Sequence, residues 1–576
     1  MFWSKIFAKK NKYEEILPEE IFLDSRKEKL DFASGEGVIS KPVLQSHFTL
    51  SLLVLFFIFT LFIYKAYSIQ ITNYELWAER SKNNFINKAY IFAYRGMIKD
   101  RNGVPLAWND SIDNKLEDIN SIPKRHYIEG AGFGNLLGFL SYPKQDSNGV
   151  FWQDDFKGME GLEKYYDSVL AGEKGDRVIE VNVKGDIVRD NIINHPKDGQ
   201  VLNLYIDSKV QEFFYNRLKE VVEAQKFQGG AGVLMDVNTG EVIAAASYPD
   251  YDNNLFVNAT TSDDKKQKSN YLERKDTPML NRALAGLYTP GSVVKPFMGY
   301  AALNAGVIDQ WTNILSTGAL VIKNKYGGPD TIFRDWKAHG YVDLRHALAV
   351  SSDEYFYQVG GGYKDQEGLG IARIDQYMSM FGFASSTGVD FIGEKDGIIP
   401  TPEWKKKTFE DGDWLLGNTY HSAIGQYGFK VSPVSLARSI ASIATGGKLV
   451  TPRIADTGQE ATSTYLQLDG ADLKAIREGM HLSASEGGTA HYFNNLPFEV
   501  AAKTGTAQLG VNNERVNSWS TGYYPYNDPK NPPKYVFVFL MEGGPANNTV
   551  GASKIMREVF QDMLDDKLPY VTFDQN

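Results

Sequence analysis

The sequence predicts an α+β fold, a five-stranded antiparallel sheet with helices on its faces, preceded by one apolar membrane helix. Two strand-like runs, 231–236 and 241–246, flank a turn at 237–240 and predict an antiparallel hairpin. Three further strand-like runs complete the predicted sheet near the C-terminus: 498–506, 519–524 and 535–542.

Helical patterns flank these strands. Asp207 and Ser208 are predicted to cap a long helix that ends near Ala224, because apolar residues recur there at helical spacing. An amphipathic helix is predicted over 550–564, and a short strand over 201–206. We expect the C-terminal domain to begin at that strand.

Length and composition limit the number of folded units and the classes of protein that the chain can represent. A chain of 576 residues exceeds what one hydrophobic core usually organises, so we expect two or three folded units. Lys plus Arg total 61 against 71 Asp plus Glu, which lacks the basic bias of a nucleic-acid-binding protein. The absence of cysteine excludes disulfides, thiolate nucleophiles and cysteine-ligated zinc.

An uncharged apolar run covers 48–64, between Lys41 and Lys65. At about 1.5 Å per residue this run is long enough to cross a bilayer with help from its flanks. A buried core helix and a cleaved signal peptide are the alternatives. Globular helices seldom lack polar residues over so many turns, and the segment before the run is too long for a signal peptide. An uncleaved anchor is favoured.

The orientation of the anchor is not decided by the charges next to it. A lysine cluster near the start of the chain favours a cytoplasmic amino terminus: Lys5, Lys9, Lys10 and Lys12. We therefore expect everything after Lys65 to lie outside the cytoplasm.

The segment after the anchor carries mixed patterns. Residues 73–89 are predicted to be helical, and Asn102-Gly103 is a strong turn signal between strand-like runs, so a hairpin is expected there. Gly158–Glu163 is predicted to open a helix that reaches Leu170, and strands are expected from Asp186 onward.

A candidate nucleophile lies in the run Tyr288–Lys295, where Ser292 follows a Pro-Gly turn and Lys295 stands three residues later. On a helix that begins at this turn the two side chains share one face, so a neutral Lys295 is placed to take the serine proton. Keeping a lysine neutral at pH 7 takes roughly 4.6 kcal/mol of desolvation and cationic neighbours. Ser-x-x-Lys alone occurs roughly two or three times by chance in such a chain, so it needs support.

Two further motifs give that support. Ser351-Ser352-Asp353 follows an apolar helical run; Ser351 is suited to relay a proton, and Asp353 to hold a lysine or a substrate amide, although a plain helix cap is equally consistent with it.

The second supporting motif is a strand that carries Lys503, Thr504, Gly505 and Thr506. The lysine and the two hydroxyls suit the terminal carboxylate of a peptide, and Gly505 lets a peptide backbone approach the strand edge. This string is expected roughly 0.01 times by chance per chain of this length, so it is the specific signal.

The three motifs in this order resemble the signature of the penicillin-recognising serine enzymes. Their separations, 59 residues from Ser292 to Ser351 and 152 from Ser351 to Lys503, resemble those of the class B penicillin-binding proteins. The turn motif at 95–103 and the motif at 158–163 extend the resemblance over nearly everything after the tail. Asp353, the run Phe333–Trp336 and the run Pro400–Lys405 are similar to the elongation branch of this family.

The resemblance implies a domain order: a cytoplasmic tail at 1–46, an anchor at 47–66, a mostly β pedestal with a reduced head at 67–199, and a transpeptidase domain at 200–576. It implies peptidoglycan D,D-transpeptidation, in which Ser292 forms an acyl ester at D-Ala-D-Ala and an amine resolves it, with backbone N–H groups of Ser292 and Thr506 holding the oxyanion. The implied partners are stem peptides, β-lactams, the membrane, and a polytopic glycan polymerase with other elongation-complex proteins. No cofactor is implied.

Some relatives hold a structural zinc. Asp335, His339 and His346 offer ligands here, but no cysteine completes the set, so we predict no metal.

Several alternative functions use the same motifs. A D,D-carboxypeptidase or a β-lactamase differs only in passing the acyl group to water, and the anchor and pedestal disfavour a lactamase. A division-type transpeptidase of the same class is a further alternative. A penicillin-sensing receptor requires a cytoplasmic effector domain, for which a tail of 46 residues leaves no room.

Overall fold

The computed structural model describes residues 45–75, 77–78, 86–110, 122–130, 132–146, 151–181, 187–409, 412–526 and 530–573. The predicted tail therefore lies almost wholly outside the described residues, as do parts of the predicted reduced head. Contacts divide the chain into two compact units, Met1–Ile86 and Asn87–Asn576. The domain boundaries drawn from the sequence stay predictions.

The first unit contains one helix that is long and apolar enough to span a membrane, among the residues described. The α-helix covers Gln45–Tyr67 and continues as a π-helical turn over Ser68–Thr72. The span Phe48–Thr72 is strongly apolar, and none of its most apolar part is buried within the protein. An unburied helix of this composition is consistent with a single membrane anchor.

The second unit begins with small sheets. Three strands pair in the order Ile86–Ile91, Gly175–Val181 and Ile187–Asn194. A four-stranded sheet has the order Leu202–Asn203, Ile98–Lys99, Pro105–Asn109 and Arg125–Tyr127. Two short strand pairs and three short helices complete this part: Leu140–Ser141 with Lys157–Gly158, Lys144–Gln145 with Phe151–Gln153, and Gly134–Leu137, Gly161–Tyr165 and Asp167–Leu170.

The predicted hairpin at Asn102-Gly103 is confirmed, since Ile98 pairs with Ala107 across it. The predicted helix over 73–89 is wrong at its end, because the backbone from Ile86 pairs as a strand with Gly175–Val181. The helix predicted to reach Leu170 is interrupted at Tyr166. The predicted strand 201–206 is reduced to two residues, Leu202–Asn203.

A buried ion cluster ties these motifs together. Glu163 is fully buried and accepts hydrogen bonds from the guanidinium groups of Arg95 and Arg125, the latter at 2.8 Å. Arg95 also pairs with Asp167 at 2.7 Å. The turn motif and the helix that carries Glu163 are therefore joined by charge in the protein interior.

The predicted five-stranded antiparallel sheet is confirmed. Its strands, named here in chain order, are β1 Gly229–Asp236, β2 Val242–Tyr248, β3 Ala501–Leu509, β4 Arg515–Tyr524 and β5 Tyr535–Pro545. The spatial order is β2-β1-β5-β4-β3, and all neighbours are antiparallel. The strand that carries Lys503–Thr506 is consequently at an edge of the sheet.

Both faces of this sheet are covered, because successive residues of a strand point to opposite sides. Phe537 and Phe539 join the apolar cluster beneath helices Ser208–Gln225 and Ala552–Asp565. Val538 and Leu540 join the larger cluster that contains helices Lys295–Asn304 and Pro433–Thr445. The α+β layering follows from strands that are apolar on both faces.

The remaining described elements surround this core. Asp207 caps the helix Ser208–Gln225 as predicted, and its side chain accepts hydrogen bonds from the N–H groups of Lys209 and Val210. The other helices are Asn253–Asn258, Ser262–Glu273, Leu344–Val350, Asp353–Gly361, Gly370–Met380, Pro402–Thr408, Leu416–Ala423 and Gly470–Ala484, with 3₁₀ turns at Gly291–Val294 and His491–Phe493. Three strand pairs remain: Ile314–Ser316 with Gly340–Val342, Ala319–Ile322 with Thr331–Arg334, and Lys448–Val450 with Ser463–Tyr465.

Candidate active site

Ser292 lies on a 3₁₀ turn, Gly291–Val294, that runs directly into the helix Lys295–Asn304. In a 3₁₀ turn residues three apart lie on the same side, so Ser292 and Lys295 share one side. Ser292 is half-buried, whereas Lys295 is fully buried. Gly291 has φ +59°, and a Cβ at this position would lie 2.7 Å from the carbonyl oxygen of Thr506. The turn is thus pressed against strand β3.

Strand β3 presents alternate residues to the two sides. Lys503, Gly505 and Ala507 are buried, while Thr504 is half-buried and Thr506 exposed. A Cβ on Gly505 would lie 2.8 Å from the carbonyl oxygen of Pro290. The glycine is therefore required by the turn that carries Ser292, and not only by an approaching peptide as the sequence suggested.

Ser351 lies between two helices, Leu344–Val350 and Asp353–Gly361. It adopts the left-handed conformation with φ +60°, which is uncommon for a non-glycine residue. Ser352, not Ser351, caps the second helix by accepting from the N–H of Tyr355. The Ser351 hydroxyl instead contacts the amines of Lys295 and Lys503.

Four polar side chains meet at one point: those of Lys295, Ser351, Asp353 and Lys503. The Lys295 amine lies 2.6 Å from Asp353 Oδ1, 2.8 Å from the Ser351 carbonyl oxygen and 3.4 Å from Ser351 Oγ. The Lys503 amine donates to Ser351 Oγ at 2.8 Å and to the Thr504 carbonyl oxygen at 2.9 Å. Ser351 thus bridges two amines from segments more than 200 residues apart in sequence.

The amines of Lys295 and Lys503 have different electrostatic surroundings. Burial, together with the nearby cation of Lys295, lowers the pKa of Lys503 well below its usual range, while Asp353 opposes this shift. Lys295 instead has a carboxylate partner at 2.6 Å. Two ammonium groups around one hydroxyl repel each other, so the arrangement favours a neutral Lys503 beside an ion-paired Lys295.

The structure brings together Lys295, Ser351, Asp353 and Lys503, with Ser292 on the turn that packs against Thr506. Lys503 is buried and donates to Ser351 Oγ and the Thr504 carbonyl oxygen, and its role toward a substrate carboxylate stays a prediction. Asp353 holds a lysine, one of the two partners suggested for it.

Two supporting residues escaped prediction in these roles. Asp335 accepts hydrogen bonds from Ser352 Oγ at 2.7 Å and from the N–H of Glu354 at 3.0 Å, which fixes the turn around Ser351. Thr489 accepts from the Thr504 hydroxyl at 2.8 Å. Asp335 stood out in the sequence as a metal-ligand candidate and as part of the run Phe333–Trp336, whereas Thr489 belongs to no motif.

The three candidate metal ligands do not form one group. His339 Nε2 lies 3.7 Å from Asp335 Oδ1, whereas the exposed His346 pairs with Asp343 at 2.7 Å. In the described part of the chain no three His, Cys, Asp or Glu side chains are placed to hold a metal.

Comparisons with known proteins agree with this geometry. The family model of the penicillin binding protein transpeptidase domain matches residues 230–565, and that of the penicillin-binding protein dimerisation domain matches 111–204. Among curated relatives, the peptidoglycan D,D-transpeptidase MrdA of Escherichia coli K12 is 28% identical over 86% of this chain and 90% of its own length. MrdA of Haemophilus influenzae is 29% identical over 88% and 89%.

Solved structures share the architecture. A complex of Helicobacter pylori PBP2 with MreC gives a TM-score of 0.67 at 26% identity, covering 83% of this chain and 99% of the other. Pseudomonas aeruginosa PBP2 bound to WCK 5153 gives 0.66 at 28% identity, covering 85% and 99%. These matches span the dimerisation and transpeptidase parts alike. The chain belongs to the penicillin-binding proteins, in the class B branch of PBP2 type.

Proposed function

We propose that this protein is a serine peptidoglycan D,D-transpeptidase that cross-links stem peptides during cell-wall elongation. The observation that carries the proposal is the meeting of two buried amines at Ser351 Oγ, beside an edge strand and the turn that bears Ser292. This arrangement supplies a nucleophile, a proton route and a peptide-binding edge in one place.

The first step is acylation. Ser292 Oγ attacks the carbonyl carbon between two terminal D-alanines, and Lys295 takes the serine proton. Lys295 is ion-paired with Asp353, so before it can accept this proton it must release one of its own and expose its lone pair. Ser351 Oγ, within hydrogen-bond distance of both amines, passes that proton to Lys503, the amine that burial favours as neutral.

The tetrahedral intermediate collapses as the last D-alanine leaves with a proton returned along the same route. The backbone N–H groups of Ser292 and Thr506 bind the oxyanion, and the close packing of Gly291 on Thr506 supports this pairing. An amine of a neighbouring stem peptide then attacks the ester, loses its proton to the lysines and completes the cross-link. β-Lactams enter the first step and leave a slowly hydrolysed ester.

The edge strand binds the donor peptide. Strand β3 offers its edge for backbone hydrogen bonds, while the exposed Thr506 hydroxyl donates to the terminal carboxylate, joined by Thr504 once its hydroxyl turns away from Thr489. Lys503 is buried and contributes positive potential when protonated.

One candidate membrane helix supports a location of this chemistry at the cell surface. The lysine cluster before it supports a cytoplasmic amino terminus and an extracytoplasmic catalytic domain. Relatives have been solved in a peptidoglycan synthase complex and with MreC, which supports a glycan polymerase and elongation proteins as partners of this chain.

The test is turnover of uncross-linked glycan strands that carry pentapeptides, with the full chain in detergent. Released D-alanine together with cross-linked dimers supports the proposal. Released D-alanine without dimers, in the presence of an acceptor strand and a glycan polymerase, indicates a carboxypeptidase instead. Rapid loss of bound penicillin, followed by intact mass, indicates a lactamase.

A further inference from the structure

Thr289, three residues before Ser292, is the point where the turn is tied to its surroundings. Its hydroxyl accepts a hydrogen bond of 3.0 Å from the Lys430 amine. Its carbonyl oxygen accepts from Trp519 Nε1 at 3.0 Å and from Asn517 Nδ2 at 3.5 Å. One buried threonine therefore connects a loop on one side to strand β4 on the other.

Lys430 has no catalytic assignment so far. It is half-buried, and burial lowers its pKa, an effect that Glu542 opposes. Glu542 is already paired with Arg282 at 2.6 Å, and no described carboxylate forms an ion pair with Lys430. A lysine withdrawn from water usually keeps a partner, and here the partner is the Thr289 hydroxyl.

The same loop holds the turn through its backbone. Tyr288 and Val431 exchange two hydrogen bonds, at 2.9 and 3.0 Å, and the Gly425 carbonyl oxygen accepts from the N–H of Gly291 at 3.0 Å. The Lys430 bond is the side-chain part of this clamp, and it acts on the residue between those two backbone contacts.

On its other side Thr289 contacts strand β4, which pairs with strand β3. Trp519 is fully buried and pairs with Gly505 across the β3–β4 ladder. A shift of Thr289 would therefore change the spacing between the Ser292 turn and Thr506, the two backbone positions assigned to the oxyanion.

We propose that Lys430 is a positioning residue, which acts through the Thr289 hydroxyl to fix the turn bearing Ser292 against strand β3. The inference rests on the proposed nucleophile. Lys430 touches no reacting atom, so its contribution is geometric. Small displacements of a nucleophile from its attack position lower the rate of reaction without preventing substrate binding.

The experiment is a double-mutant cycle with Lys430→Met and Thr289→Val, using saturation kinetics with a fluorescent penicillin on the full chain in detergent. Each single variant should lower the first-order acylation constant about tenfold while the half-saturating concentration stays unchanged. The double variant should be no slower than the slower single variant, because both changes remove the same hydrogen bond.

Thr289→Ser keeps the hydroxyl and should acylate at the rate of the unmodified protein. Lys268→Met is the matched control, since Lys268 is half-buried, has a burial-lowered pKa and donates to the Phe256 carbonyl oxygen at 3.0 Å, away from the turn.

Unmodified rates in Lys430→Met and Thr289→Val, or losses that multiply in the double variant, would overturn the proposal. If Lys430→Met does not fold, Thr289→Val decides alone: a tenfold loss supports the proposal and an unmodified rate overturns it. Failure of the nucleophile assignment is distinguishable, because Ser292→Ala would then still be labelled whatever the Lys430 result.

Discussion

The Lys503 amine donates a hydrogen bond of 2.8 Å to Ser351 Oγ. This bond joins the edge strand of the sheet to a turn between two helices 152 residues earlier in the chain. Both side chains are buried, so the link is shielded from water and from salt. It makes the edge strand and the turn that carries Ser351 parts of one unit.

Ser351→Ala removes the bridge between the two amines. We expect the rate of acylation by fluorescent penicillin to fall about 10²-fold or more, because a positioned proton-transfer group contributes at that level. The thermal midpoint should change little. Ser269→Ala, an exposed helix position, is the control and should acylate normally. An unimpaired Ser351→Ala enzyme would refute the relay.

Asp353→Asn keeps a hydrogen-bond acceptor for Lys295 but removes the negative charge. That charge raises the pKa of Lys503, so its removal lowers this pKa further. Since the relay needs neutral Lys503, acylation rises with pH through this pKa, and the rising limb of the pH–rate profile should move to lower pH in the variant. A limb that moves upward, or does not move, would contradict the assignment of Lys503 as the final acceptor.

Gly505→Ala places a methyl group 2.8 Å from the Pro290 carbonyl oxygen and 2.9 Å from Val293 Cγ1. The Ser292 turn must then move away from strand β3, so acylation should fall about 10²-fold. Gly470→Ala is the matched control, because nothing lies within 4 Å of its added Cβ. Equal acylation rates in the two variants would show that the contact between turn and strand is not needed.

Glu163→Gln tests the buried ion cluster formed by Glu163, Arg95 and Arg125. Burial by itself raises the pKa of Glu163, but Arg125 and Arg95 outweigh it and leave the pKa lowered. Removing the charge should cost about 3–5 kcal/mol of unfolding free energy, because two buried guanidinium groups lose their carboxylate. Denaturant unfolding at pH 7 measures this loss.

The sign of the pH effect follows from the lowered pKa of Glu163. Its stabilisation is fully present above the unfolded-state pKa, about 4.3, and is lost as pH falls through the folded-state value. The difference between the unmodified protein and the variant should therefore shrink below about pH 4. Glu173→Gln, which removes an exposed pair with Lys197, should leave stability unchanged at both pH values.

The fold was largely predictable because its signals are local and strong. The apolar run at 48–64, the hairpin at 231–246 and the cap at Asp207 each follow from short-range patterns, and the structure contains all three. The helix predicted over 73–89 failed because sheet pairing with a strand some 90 residues later overrides helical propensity from Ile86 onward.

The site was predictable in its members but not in their contacts. The motifs named Ser292, Lys295, Ser351 and Lys503. Spacing in sequence does not tell which lysine forms an ion pair with Asp353 and which has its pKa lowered by burial. The contacts of Asp335, Thr489 and Lys430 depend on tertiary packing and have no sequence signature.

The central claim is that Ser292 is acylated. Incubation of the full chain with penicillin, proteolysis and peptide mass mapping should place a single penicilloyl adduct on the peptide that contains Ser292, and Ser292→Ala should remain folded and carry none. An adduct on any other residue, or labelling of Ser292→Ala equal to that of the unmodified protein, would contradict the account.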